Sequence, residues 1–522
     1  MTKKFKGYYF PESLREIEES ADFEIRNLDS DAEILVPIIT EKHIQKILPV
    51  MKQNQTIFSN KSLQDIAICW DQLSKCWKDN SYEKKKDALT YLPKLTNLSS
   101  ELIEFFQFRS IYNINKETIS FLGTLLEKDL SKDIFKKFVE IPETKTYLRA
   151  FASFRNKMSL KNSLDKNFNI NLITYITPSN VPGFIESLGL FLAQVVKSSV
   201  IIKTPTAQPL FAPLFAQSIQ DIDPDIGETI AVFPWQGGNE KIEQDIFQKS
   251  DVVSIVSSTE AANSVKKRID KLNKNNYSIK GCYHGGKFGL DIISKEFANE
   301  KTAELAAIDG IGYEGYMCAS PAFGFFIEEG GELSPKEFAS VLAEKAKQLS
   351  DIIPQTKLFR KSREQKLAGV LATLNPSRQK LITTPGFDYA VLYDCSVSTK
   401  PIGQDRFFRV MPLKDISDII NLIKPWKEHL QSAGIAIPTQ RLLNGFAEKM
   451  GKVGFSNLRV IGTVPLPRLG EAWDGNFPVL EFFTPDSIHW CSINSNNIEK
   501  DIEYLSNSHK ELIKNGVFGL KK

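Results

Sequence analysis

Cys318 closes the stretch Gly312–Cys318, GYEGYMC, between an alanine-rich run and the strand-like FGFFIE at Phe323–Glu328. The chain has six cysteines, and the other five sit in stretches that read as core or helix. A cysteine used only for packing needs no glycine-broken backbone, whereas a thiolate presented to a carbonyl carbon does. Cys318 is therefore the candidate nucleophile. Ser257-Ser258-Thr259 is a second candidate, directly after the apolar run VVSIV (Val252–Val256) and before a helical pattern. Its hydroxyls and the backbone N–H groups of a helix start suit a phosphate, and they equally suit an ordinary helix cap. The cysteines form no CxxC pair and no histidine lies at zinc-ligand spacing, so no metal site is expected.

The elements that must hold these residues are legible from residue 172 onward. The run Leu172–Thr177 (LITYIT) reads as a strand ended by Pro178, and Pro182-Gly183 opens a helix with Phe184, Leu188, Phe191, Leu192 and Val195 on one face. Strands SVIIK (Ser199–Lys203), TIAVF (Thr229–Phe233) and VVSIV then alternate with helices, the last starting at Thr259. This alternation predicts a parallel sheet with helices on both faces, an α/β nucleotide-type domain, although the GxGxxG fingerprint is missing. Ser334-Pro335-Lys336-Glu337 predicts a capped helix start. The run VLEFF (Val479–Phe483) reads as a late strand before a polar helical tail. Residues before about 150 read as helices, for example around Ser59–Trp77 and Glu101–Phe121.

At 522 residues the chain predicts two or three domains. Its 42% hydrophobic and 25% charged residues are ordinary for a soluble globular protein. A net charge of +3 gives no electrostatic case for nucleic acid. The basic run Lys84-Lys85-Lys86 is expected on a solvated helix face. No signal peptide is apparent, and the most apolar segment, Phe184–Ile202, is interrupted by Glu186, Gln194 and Lys197, so no membrane span is expected. A reduced, cytoplasmic protein is the expectation.

Five segments in order resemble the aldehyde dehydrogenase superfamily. Ile176–Pro182 (ITPSNVP) is similar to its strand-end asparagine motif, and Val200–Thr206 (VIIKTPT) to its lysine motif. Ser250–Ala262 resembles the strand–turn–helix at the pyrophosphate, Tyr283–Lys287 (YHGGK) the Glu-Leu-Gly-Gly-Lys segment, and GYEGYMC the nucleophile loop. The 35-residue step from Tyr283 to Cys318 also agrees. Within the superfamily, Ser179–Gly183 (SNVPG) and Val460–Gly475 (VIGTVPLPRLGEAWDG) resemble the LuxC-like fatty acyl-CoA reductases. No motif supports the first 150 residues.

The resemblance implies an aldehyde dehydrogenase-like fold and roles for single residues. Cys318 would attack a thioester, and Asn180 would donate to the oxyanion. Lys203 would reach the adenosine ribose or its phosphate, and Ser257, Ser258 and Thr259 the pyrophosphate. NAD-preferring members carry a glutamate three residues after this lysine; Thr206 stands there, so NADPH is the implied cofactor. Aldehyde-oxidising members carry a glutamate base at the position of Tyr283, and a phenol with pKa about 10 is a poor base near neutral pH. Reduction of the acyl group, which needs no water, is implied instead. His284 could protonate the departing thiolate, or simply be a strand histidine. Glu314 could orient the Cys318 turn, or be a solvated turn carboxylate.

The implied division is a mainly helical region 1–150 packing on the nucleotide domain, an NADP(H)-binding α/β domain 151–281, and a catalytic α/β domain 282–460. Residues 461–522 would form the closing segment with an oligomerisation strand and tail. The implied reaction is NADPH-dependent reduction of a long-chain acyl-CoA or acyl-carrier thioester to the aldehyde through an acyl-cysteine. A homo-oligomer and an acyl-transferase or acyl-protein synthetase partner are also implied. A CoA-acylating aldehyde dehydrogenase running oxidatively, or a non-catalytic scaffold for an acyl-transfer partner, are the alternatives.

Overall fold

The computed structural model describes residues 2–515 apart from 97, 113, 115–118, 120–131, 143, 152–169, 357, 385, 469 and 484–487. The later part of the expected helix Glu101–Phe121 and the end of the helical tail lie outside these residues.

Five apolar runs of the middle region form one parallel sheet. Its strands are β6 (Leu172–Ile176), β7 (Ser199–Thr204), β8 (Ile230–Pro234), β9 (Val252–Val256) and β10 (Lys280–His284), in the order β10-β9-β6-β7-β8. All five residues of β6 are buried, as a parallel strand covered on both faces requires. Helices Phe184–Val195, Phe211–Ile222, Glu240–Lys249 and Thr259–Lys274 alternate with these strands.

The second sheet has ten strands, and most of it follows from the same alternation. Its strands are β4 (Val139–Ile141), β5 (Thr146–Phe151), β11 (Phe288–Ile293), β12 (Phe325–Glu328), β13 (Gln379–Thr383), β14 (Ala390–Asp394), β15 (Phe407–Leu413), β16 (Leu430–Ala436), β17 (Asn457–Val460) and β18 (His489–Ile493). The order is β13-β14-β15-β12-β11-β16-β17-β18-β5-β4, parallel from β14 through β18 and antiparallel at both ends. The closing strand β18 therefore lies inside this sheet, between β17 and β5. The hairpin β4–β5 comes from the region expected to be helical and adds the far edge.

The first residues also depart from a helical reading. Strands β1 (Lys3–Lys6), β2 (Asp22–Asp29) and β3 (Ala32–Ile38) make a small sheet in the order β1-β3-β2. The chain after β1 docks on the five-stranded sheet, where Tyr9 and Val232 exchange backbone bonds of 2.7 and 2.8 Å. Helices Glu41–Phe58, Leu63–Lys78 and Glu83–Thr96 follow. Trp70 of the second donates Nε1 to Gln194 Oε1 at 2.5 Å and packs edge-on against Phe191. Lys85 is not on a solvated face: it is 1% exposed and pairs with Glu104 at 2.8 Å. An ammonium placed there needs that carboxylate, because an unpaired buried charge is costly.

Helix Pro335–Ile352 starts as its sequence predicts, with Ser334 and Glu337 completing a capping box. The late run VLEFF does not extend. Val479 takes φ 69°, and Leu480–Phe482 forms a single 3₁₀ turn that turns Glu481 inward.

Two carboxyls are buried together beside the ten-stranded sheet, Asp291 on β11 and Asp309 near the end of helix Glu300–Ile311. Asp309 accepts the backbone N–H groups of Gly462 and Val464 at 2.7 and 3.0 Å. Burial, then the neighbouring Asp309, holds the Asp291 carboxyl well above the usual range, so it keeps its proton. The folded state then binds more protons than the unfolded chain above the ordinary carboxylate range. This contribution is intact at acid pH and is lost as pH rises through the folded titration. Asp291→Asn should accordingly melt higher than the native chain near pH 8 and show a flatter pH profile of melting between pH 5 and 8.5. An unchanged profile would contradict a protonated Asp291.

Candidate active site

The nucleophile candidate follows a backbone that is strained on purpose. Tyr313, Glu314 and Gly315 have φ of 52°, 56° and 77°, three consecutive left-handed residues of which only one is glycine. Non-glycine residues hold this conformation only where surrounding contacts impose it. Glu314 is fully buried and takes two bonds from Arg406, Nε to Oε2 at 2.8 Å and Nη2 to Oε1 at 2.7 Å. Gln355 Nε2 adds a third bond at 2.9 Å. The Asp405 N–H donates to the Glu314 carbonyl at 2.8 Å, and Tyr316 donates its hydroxyl to Asp405 at 2.6 Å. The turn is thus clamped onto residues 403–406, and Glu314 is an anchor rather than a solvated carboxylate.

This changes the meaning of Gly315. A Cβ there would lie 2.6 Å from the Gly403 carbonyl oxygen. The glycine serves a close backbone crossing, not space for a substrate. Cys318 emerges three residues later, half-buried.

Asn180 lies at the mouth of the β6 strand end and donates Nδ2 to the Tyr316 carbonyl at 3.0 Å. That bond joins the Ser179–Gly183 segment to the nucleophile loop. Gly183 then opens helix Phe184–Val195 with φ 106° and donates its N–H to Glu186 at 2.8 Å.

Behind Cys318 stands a polar cluster that the sequence reading did not assemble. His284 Nδ1 lies 2.9 Å from Asp474 Oδ2, and Nε2 lies 3.1 Å from Glu481 Oε2. Gln431 of β16 donates Nε2 to Asp474 Oδ1 at 2.6 Å. Burial works against the charged imidazole, but Glu481 and Asp474 outweigh it and push His284 up to about 10. Burial likewise opposes the Asp474 carboxylate, yet His284 holds it below the usual range. Burial, and after it Asp474, pushes the Cys318 thiol up to about 11, while the Gln431 amide pulls the other way.

Strand parity explains one correction. Tyr283 does not point toward this cluster; its ring lies under Lys266 of helix Thr259–Lys274, with Nζ 5.0 Å from the ring centre. Cys282 and His284 point the other way, the sulfur to the Glu481 carbonyl at 3.9 Å and the imidazole to the two carboxylates. The residue of this strand that faces the site is His284. The carboxylates near it come from the closing segment, where Trp473 and Asn476 exchange backbone bonds of 2.7 and 2.6 Å and present Asp474 at the tip. The tryptophan–aspartate–glycine motif was the available signal for Asp474. Nothing local marked Gln431 or Glu481.

The cofactor candidates line the strand ends of the parallel sheet. Lys203, on β7, is 9% exposed, its Nζ 5.6 Å from the Trp235 ring centre. Burial lowers its pKa, and Glu243, the carboxylate that favours its charge, is already paired with Arg268 at 2.6 Å. Among the described residues Lys203 has no ion pair, so an anion at this strand end would be met by a desolvated ammonium. Ser258 caps helix Thr259–Lys274 by accepting the Ala261 N–H at 3.2 Å. Thr259 Oγ1 accepts the Gly286 N–H at 3.0 Å, and a Cβ on Gly285 or Gly286 would come within 3.3 Å of that oxygen. Ser257 lies at the strand end between them. A glycine-lined helix start beside a buried, unpaired lysine fits a dinucleotide phosphate. Thr206 is exposed, and its carbonyl accepts Arg26 Nη1 at 2.6 Å, while the same guanidinium is paired with Glu24. No group of three or more metal-ligating side chains occurs among the described residues. No helix of the described residues is long and apolar enough to cross a membrane.

The family described as acyl-CoA reductase (LuxC) matches residues 58–484. A long-chain acyl-protein thioester reductase from Photorhabdus luminescens is 24% identical over 353 residues, 67% of this chain and 64% of that protein. Another of that name from Photorhabdus laumondii is 23% identical over 259 residues, 49% of this chain and 47% of the relative. The chain thus spans less than two thirds of the length of these curated relatives. Among solved structures, a salicylaldehyde dehydrogenase from Pseudomonas putida G7 complexed with salicylaldehyde superposes with TM-score 0.60 at 14% identity, covering 94% of this chain and 98% of that one. Aldehyde dehydrogenase 21 from Physcomitrella patens, in complex with succinate, gives 0.64 at 12% identity with the same coverage. The α/β aldehyde dehydrogenase-like fold expected from the motifs is therefore the fold observed.

Proposed function

Since the chain belongs to the acyl-CoA reductase (LuxC) family, we propose that it reduces a long-chain acyl thioester to the fatty aldehyde through an acyl group on Cys318, with NADPH as reductant. The observation that carries this reading is the pairing of a clamped cysteine loop with a carboxylate, Asp474, that His284 holds below the usual range and so makes a weak water-activating base. Both Asp474 oxygens are taken by donors, from His284 and Gln431. An acyl-cysteine beside it is protected from hydrolysis, which leaves reduction as the way to release the acyl group.

Cys318 enters as a thiol, forms a C–S bond to the carbonyl carbon, and its proton leaves with the carrier sulfur. Asn180 holds its amide on the Tyr316 carbonyl by one N–H and has a second for the oxyanion. One such donor is worth about 3 kcal/mol in the transition state. Bound NADPH supplies hydride to the acyl carbon. The C–S bond then breaks, giving aldehyde and the Cys318 thiolate. Lys203, Thr206 and Ser257–Thr259 would hold the cofactor. The carrier is CoA or an acylated protein, the assembly a homo-oligomer, and the compartment the cytoplasm.

Aldehyde formation from acyl-CoA thioesters of 8 to 16 carbons, and from an acylated protein, should consume NADPH in preference to NADH. The reverse reaction, aldehyde with CoA and NADP, is the comparison. Release of free fatty acid instead of aldehyde would overturn the reading, and faster turnover in the oxidative direction under all conditions would favour the CoA-acylating alternative.

A further inference from the structure

β10 is the edge strand of the five-stranded sheet, and its side chains reach the segment between β17 and β18. His284 Nδ1 meets Asp474 Oδ2 at 2.9 Å, His284 Nε2 meets Glu481 Oε2 at 3.1 Å, and the Cys282 sulfur lies 3.9 Å from the Glu481 carbonyl. None of the three charged side chains is more than 7% exposed. An ionised carboxylate only accepts, so both ring nitrogens donate. His284 is then an imidazolium with no further N–H to offer a departing carrier sulfur.

The backbone of the same residue holds the phosphate turn. The His284 carbonyl accepts the Ser257 N–H at 3.0 Å, and the Gly286 N–H goes to Thr259 Oγ1 at 3.0 Å. On the other side, Asp474 Oδ1 accepts Gln431 Nε2 at 2.6 Å. Gln431 follows Leu430, which pairs with Phe288 at the start of β11. The next residue, Gly289, donates its N–H to the Ser320 carbonyl at 3.0 Å, two residues after Cys318. The segment that carries the two carboxylates is strained, with φ of 47° at Asp474 and 69° at the β-branched Val479. Such backbone persists only where contacts impose it, and His284 is bonded to side chains on both sides of Val479.

We propose that His284 is a positioning residue for the reduction step: bonded to Asp474 and Glu481, its imidazolium fixes the cofactor-bearing sheet against the strands behind Cys318. This rests on Cys318 being the nucleophile and NADPH the hydride donor. Acylation of Cys318 needs only its own loop and Asn180, which are joined through the Tyr316 carbonyl. Reduction needs the two sheets in register as well, because the phosphate turn belongs to one and the Cys318 loop leads into β12 of the other. A misplacement of about 1 Å between reacting groups costs about 100-fold in rate.

The two half-reactions separate positioning from acid catalysis. The variants are His284→Gln and the double change His284→Gln/Glu481→Gln, which removes one cation and one anion together. Given radiolabelled tetradecanoyl-CoA without NADPH, both should acylate Cys318 within about threefold of the native rate. NADPH added afterwards should release aldehyde about 100-fold more slowly than from the native chain. Slowed acylation would make His284 the acid for the carrier sulfur, and unslowed release would leave the bridge without a part in the reaction; either result overturns the proposal. NMR of the native chain labelled with 15N-histidine decides the matter even if the variants do not fold. Of its five histidines, one at least should keep protons on both ring nitrogens at about pH 8.5, where an ordinary imidazole is neutral. Five neutral rings would overturn the bridge. A native chain that never takes up label would remove the proposed reaction and the role of His284 with it, whereas label followed by unslowed release removes that role alone.

Discussion

Cys318→Ala is expected to stop aldehyde formation, with a rate loss of at least about 10³-fold, and to abolish covalent acyl labelling. The loss should be this large because no other thiol can take over. Cys69 and Cys491 are buried, and burial raises both thiols to the top of the accessible range or beyond. Cys282 is buried with its sulfur on the Glu481 carbonyl, Cys395 is exposed directly after β14, and Cys76 lies half-buried on helix Leu63–Lys78. A radiolabelled acyl thioester, incubated without NADPH and resolved on a denaturing gel, should mark the native chain and leave the variant blank. Label that persists on the variant would remove Cys318 from the reaction. The alanine should cost little stability, since the thiol is half-buried and the clamp on the loop is made by Glu314 and Tyr316.

Part of this site could be read from the residues alone. Cys318 was marked by its glycine-broken surroundings, and the parallel sheet by apolar runs separated by helix starts. Asn180 and Lys203 depended on motif order, and the structure brings Asn180 to the Cys318 loop through the Tyr316 carbonyl. What escaped was the pairing of distant polar residues. Gln431, Asp474 and Glu481 sit on a strand, a turn and a 3₁₀ turn that meet His284 only after the two sheets have packed. Strand parity was a second obstacle. A strand shows which residues alternate, but not which face meets the site, so His284 could be read as an acid or base or as a plain strand histidine. The run VLEFF failed differently. Its β-branched and aromatic residues favour a strand, and tertiary contact of Glu481 with His284 prevails over that preference. Lys85 and Glu314 show the same limit for charges, since each reads as solvated until its buried partner is known.

The second large effect falls on the fold of the nucleophile loop itself. Arg406 and Glu314 are 0% and 1% exposed at their side chains and share two hydrogen bonds. Arg406→Met removes one partner and leaves a carboxylate in an apolar interior, which costs about 3–5 kcal/mol. Gln355 Nε2, 2.9 Å from Glu314, is the remaining donor described for that carboxylate and can offset only part of the loss. Denaturant unfolding should show the drop as a lower midpoint with an unchanged slope. The double variant Arg406→Met/Glu314→Leu should recover part of this stability, because the carboxylate is no longer left without its guanidinium, while the buried Arg363 loses the favourable field of Glu314. Acyl labelling should not recover with it. Tyr313 and Glu314 occupy left-handed backbone that the ion pair holds in place, and an apolar pair of similar size has no bond with which to hold it. Stability restored without labelling would separate the two duties of the pair, filling the interior and presenting Cys318. Labelling restored together with stability would mean that the packing of the loop, rather than the ion pair, positions the nucleophile.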